Sequence, residues 1–237
     1  MNVPLPRRLV AEAIGSAMLF ATVIGSGIMA DRLAGGNVAI ALLGNTLATG
    51  AMLFVLITML GPISGAHFNP LVSGISAWRG DLGWRDASQY LVVQMGGGIG
   101  GVWIAHLMFS EAVFQVSTKA RSGMGQWTGE AVASFGLVLT ILGTVRHRPA
   151  WVPASVALYI VAAYWFTSST SFANPAITVA RSLSNSFAGI APHDVPGFAV
   201  AQLIGGILAA TMARFLFDGP SLDEQGNATV PGQSLRH

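Results

Sequence analysis

The chain has 237 residues, of which 52% are apolar and 9% charged, against about 25% charged in an ordinary soluble domain. That deficit points to an integral membrane protein. A net charge of +2 with no clustered basic face excludes a nucleic-acid reader. The lack of any cysteine excludes disulfides, thiolate metal sites and cysteine nucleophiles.

A helix that crosses a bilayer needs about 20 apolar residues. Six segments qualify, near 8–30, 38–60, 86–109, 127–145, 150–167 and 198–217. Arg7 and Arg8 lead into the first. Its apolar run is too long for a signal-peptide core and no clear cleavage site follows, so it reads as a span. The first span carries Glu12 and the fourth Glu130, each near its start. Gly96, Gly98 and Gly101 fit G-x-G-x-x-G, but no strand precedes them. Inside an apolar span such small residues suit close helix packing.

Two polar stretches interrupt the array. One is 61–78, centred on Asn69-Pro70-Leu71; the other is 167–183, centred on Asn174-Pro175-Ala176. Asn is a good N-cap, because its side-chain oxygen takes an orphan backbone N–H. Pro suits the first helical position, where a missing N–H costs nothing. Each stretch predicts a loop that becomes a short helix at its Asn.

The chain repeats itself: Glu12 with Glu130, Asn69 with Asn174, Gln94 with Gln202. Each half holds three spans and one Asn-Pro loop, so the second half enters the membrane from the opposite side. The halves are about 1–110 and 122–218, within a channel domain of 1–220 followed by a polar cytoplasmic tail, 221–237. With the N-terminus inside, the inner segments hold Arg7, Arg8, Arg79, Arg85, Arg146, Arg148, Arg214 and Arg236. The outer ones hold Arg32, Lys119, Arg121 and Arg181. This excess places both termini in the cytoplasm.

If both loops fold back, their helices meet at mid-membrane. Irregular backbone is tolerated there when it is packed in protein or lines a water-filled cavity. Each helix aims about half a positive charge at the centre, which repels cations. The amides of Asn69 and Asn174 can donate to a passing oxygen, which favours a neutral, hydroxylated solute.

With these residues, and with the flank Ser64-Gly65-Ala66-His67-Phe68, the chain resembles the aquaporin and aquaglyceroporin (major intrinsic protein) family over nearly its whole length. The resemblance implies an all-α membrane protein with six transmembrane helices and two re-entrant half-helices in an inverted repeat. It implies a pore in each protomer, a homotetramer in the plasma (bacterial inner) membrane, and no enzyme activity, cofactor or metal. Asn69, Pro70, Leu71, Asn174, Pro175 and Ala176 become the pore motifs. Gly65, Ala66, His67, Thr170 and Phe172 become pore-lining carbonyls, and Glu12 and Glu130 anchor the loops.

By the same resemblance, the narrowest point is lined by Thr49, Ala162, Ser171 and Ile177. Ile177 stands where family members usually carry Arg, and no aromatic ring is present. Arg181 lies about one helical turn further on and is not taken as the filter arginine. Leu71 replaces an alanine and can alter packing or the central width. A wide, uncharged filter is similar to that of a bacterial branch associated with arsenic resistance. It implies passage of arsenite and related metalloid hydroxides, with glycerol-like polyols and water. A water-selective or general glycerol channel is the alternative. A secondary transporter would need a coupling site, and intramembrane ionisable residues are few. A hydrolase would need Ser64 or Ser171 beside a His67 base.

Overall fold

The computed structural model describes residues 3–217, 221–222 and 228–229. It contains eight α-helices: α1 Leu5–Leu33, α2 Val38–Ser64, α3 Pro70–Arg79, α4 Trp84–Met108, α5 Met124–His147, α6 Val152–Phe166, α7 Pro175–Arg181 and α8 Val195–Phe217. Six of them, all but α3 and α7, are long and apolar enough to cross a membrane, α6 and α8 together with the short 3₁₀ turns that precede them. Most extend a few residues beyond the apolar segments of the sequence, because a helix continues until something caps it. Asn37 starts α2 by accepting from the N–H groups of Ala39 and Ile40. Gly65, at φ 89°, ends it in the left-handed conformation.

The sequence predicts a polar tail over 221–237. Apart from β1, Ser221–Leu222, paired antiparallel with β2, Ala228–Thr229, it lies outside the described residues.

In the first half α1 packs on α4 and α2; in the second α5 packs on α8 and α6, and α2 meets α6 between the halves. Close packing needs glycine at particular points. A Cβ on Gly101 of α4 would stand 2.1 Å from the Ala17 carbonyl of α1. A Cβ on Gly205 of α8 would stand 2.1 Å from the Ala131 carbonyl of α5. The same device recurs at equivalent places, as small residues do in lipid-embedded packing.

The burial pattern is that of a protein in lipid. Leu43, Phe54, Val92, Leu208 and Phe215 are exposed on the outer faces, whereas Glu12, Gln94, Glu130 and Gln202 are fully buried. The polar groups therefore converge on the interior, where the two short helices α3 and α7 sit.

Candidate functional site

Both polar stretches turn back as loops that end in half-helices. Asn69 caps α3, accepting at Oδ1 from the Leu71 N–H at 2.9 Å. Asn174 caps α7, accepting from the N–H groups of Ala176 and Ile177. Their other ends cross over: Asn69 Nδ2 donates to the Ala173 carbonyl and Asn174 Nδ2 to the Phe68 carbonyl, each at 2.8 Å. The helix N-termini thus meet at the centre.

The loops before them are strained in the same way. Ala66 and Phe68 in the first, and Thr170, Ser171 and Ala173 in the second, have φ between 46° and 62°. Each such residue costs about 1–2 kcal/mol outside glycine. Buried carboxylates hold these conformations. Glu12 accepts from Ser64 Oγ, His67 N, Phe68 N and Gln94 Nε2 at 2.6 to 3.0 Å. Glu130 accepts from Phe172 N, Ala173 N and Gln202 Nε2 at 2.6 to 2.9 Å. With its N–H groups turned to the carboxylate, each loop can offer carbonyls to the other side. Ser64 gives its hydroxyl to Glu12, and the His67 ring sits 3.0 Å from Ser73 Oγ. Neither Ser64 nor Ser171 is hydrogen-bonded to His67, and Ser73, which is, donates its hydroxyl to the Asn69 carbonyl.

A cavity of about 650 Å³ passes along this meeting point. Gly65, Ala66, His67 and Phe172 line it, as do Asn69, Asn174, Thr49, Ser171 and Ile177. Leu19, Leu53, Ile57 and Leu137 give it an apolar side. Thr170 is not on the wall.

A family profile described as major intrinsic protein matches residues 1–167. A relative, "Aquaglyceroporin AqpS" of Rhizobium meliloti (strain 1021), is 54% identical over 96% of this chain and 98% of its own. The chain belongs to the major intrinsic protein family. Members of this family are membrane channels and not enzymes. "Aquaporin Z" of Photorhabdus laumondii is 27% identical over 89% of this chain and 97% of its own. The X-ray structure of the aquaglyceroporin from Plasmodium falciparum shares the fold, with a TM-score of 0.66 at 18% identity, over 90% of this chain and 97% of that one.

Besides Thr170, three further expectations from the sequence need correction. Ala162 is exposed on the outside of α6 and is not on the cavity. Val152, Val156, Ile160 and Tyr164 line it instead, four residues apart and so on one helical face. Ala162 is two residues, about 200°, out of phase with Tyr164. The wall also carries a ring: the Tyr164 hydroxyl stands 3.4 Å from Thr49 Oγ1. And it carries a guanidinium, because Arg181, set aside in the sequence, lines the cavity and is 2% exposed. Leu71 turns away from the cavity. It packs in a cluster with Ile75, Val138, Ala209 and Ala210, against Gly206 of α8.

The outer loops hold Arg181 in place. Three consecutive carbonyls, of Phe187, Ala188 and Gly189, accept from Lys119 Nζ, Arg181 Nε and Arg121 Nε. Arg121 Nη1 also donates to the Ser169 carbonyl. Burial lowers the Arg121 pKa from its ordinary value, opposed by Glu130. Burial around the Lys119 ammonium, then the charges of Arg121 and Arg181, bring that lysine down to about 8.

Proposed function

We propose that this chain is a passive channel for small neutral solutes: arsenite and related metalloid hydroxides, glycerol-like polyols, and water. The observation that carries this reading is the pairing, inside one cavity, of an apolar side with a line of fixed polar groups. Asn69 and Asn174 each keep a second amide hydrogen, and the half-helix N-termini disfavour cations there. A hydroxylated solute that slides along the apolar side can exchange hydrogen bonds with the other without carrying its water shell. The aliphatic side chain of Ile177 on the cavity wall supports solutes bulkier than water, and the likeness to an aquaglyceroporin supports the same solute class. The filter in this reading is formed by Thr49, Ser171 and Ile177 with Tyr164. The family resemblance supports a homotetramer in the bacterial inner membrane, and the arginine distribution supports both termini in the cytoplasm.

The test is stopped-flow permeability of proteoliposomes to water, glycerol and arsenite, measured side by side. The expected result is rapid, non-saturating entry of all three. Entry of water alone would remove the wide-filter reading. Saturable flux coupled to an ion gradient would replace the channel with a transporter.

A further inference from the structure

We infer that Arg181 is a specificity-determining residue of the pore, supplying from the outer end of α7 the fixed charge and donors that position 177 lacks. The inference rests on the channel reading above and adds a residue to it. Side chains on a helix lean toward its N-terminus. From the last residue of α7 a long side chain therefore reaches back toward Ile177. Arg181 does so: its guanidinium carbon lies 3.3 Å from the centroid of the Phe172 ring, in the loop that precedes the helix. It shares the cavity wall with Thr49, Tyr164 and Ser171.

Its orientation is fixed from behind. Among the described residues the guanidinium makes one protein hydrogen bond, from Nε to the Ala188 carbonyl. The neighbouring carbonyls are tied to Lys119 and Arg121, so the peptide that receives Arg181 cannot drift away from the wall. Nη1 and Nη2 are left for the cavity. A planar group with two free donor edges, held face-on by an aromatic ring, suits a neutral solute that presents adjacent oxygen acceptors. The same charge repels a cation that enters the outer half of the pore.

The experiment compares the wild-type protein with Arg181→Gln and Arg181→Lys in proteoliposomes. Potassium leak is read alongside glycerol and water flux, with water flux as the sign of a folded pore. Arg181→Gln should raise the potassium leak about tenfold or more, a change of about 1.4 kcal/mol in barrier. Arg181→Lys should keep cations out but lower the ratio of glycerol to water flux, because a point charge does not reproduce the planar donors. Wild-type leak and wild-type solute ratios in Arg181→Gln would overturn the role. If Arg181→Gln does not fold, an unchanged glycerol-to-water ratio in Arg181→Lys overturns it instead. A wild-type protein that passes no solute faster than empty liposomes would sink the channel reading itself, a result distinct from both.

Discussion

Asn69 and Ala173, one from each half of the chain, are joined at the centre of the molecule by a 2.8 Å hydrogen bond from the asparagine Nδ2 to the alanine carbonyl. The same side chain caps α3. Asn69→Ala therefore removes a cap and a cross-loop bond together, a loss of about 2 kcal/mol in stability. Asn174→Ala should cost about the same, because Asn174 makes the mirrored pair of contacts. Unfolding of both variants in detergent checks this. A large loss in one and none in the other would mean that the two loops are not energetically equivalent.

Leu71 predicts a compensating pair. A Cβ on Gly206 would approach the Leu71 Cδ1 to 2.7 Å. Gly206→Ala should destabilise the chain by about 1–3 kcal/mol through overpacking. Leu71→Ala, which restores space, should recover much of that in the double variant. Simple addition of the two losses would show that Leu71 and Gly206 do not share a packing site.

Tyr164 and Ala162 give opposite expectations two residues apart. Tyr164→Ala removes bulk from the wall and should raise glycerol flux several-fold relative to water. Ala162→Leu, on the exposed face, should leave that ratio unchanged. The reverse outcome in the same flux assay would return the alanine to the pore.

These two residues also mark where the sequence stops being legible. The half-helices are readable because Asn and Pro have sharp positional meaning; the anchors are what the family resemblance implies, in agreement with the cost of an unpaired carboxylate in an apolar span. Helix α6 offers no such sign. Its run from Val152 to Phe166 is apolar on every side, so no periodicity tells which face turns inward. Arg181 was passed over for a different reason. Its place depends on the Phe172 ring and on the Ala188 carbonyl, contacts made by a folded loop that spacing does not encode.

Lys119 gives the chain a pH dependence at its outer surface. It titrates near pH 8 in the fold, against about 10.4 in an unfolded chain. Between these values the unfolded chain holds a proton that the folded one has released, so stability rises with pH across that window. Below about pH 8 the lysine is charged in both states and the dependence ends. The midpoint of thermal unfolding, followed from pH 8 to pH 10, should climb in the wild-type protein relative to Lys119→Met. Parallel curves would mean that the lysine titrates normally.

The anchors and the crossing bonds draw on different stretches of the chain. Glu12, its loop and Gln94 all lie before residue 95, and Glu130, its loop and Gln202 all lie after residue 129. The bonds from Asn69 to Ala173 and from Asn174 to Phe68 join the two loops. Each half-site is complete within its own half of the chain, and the conduction path exists only where the two dock.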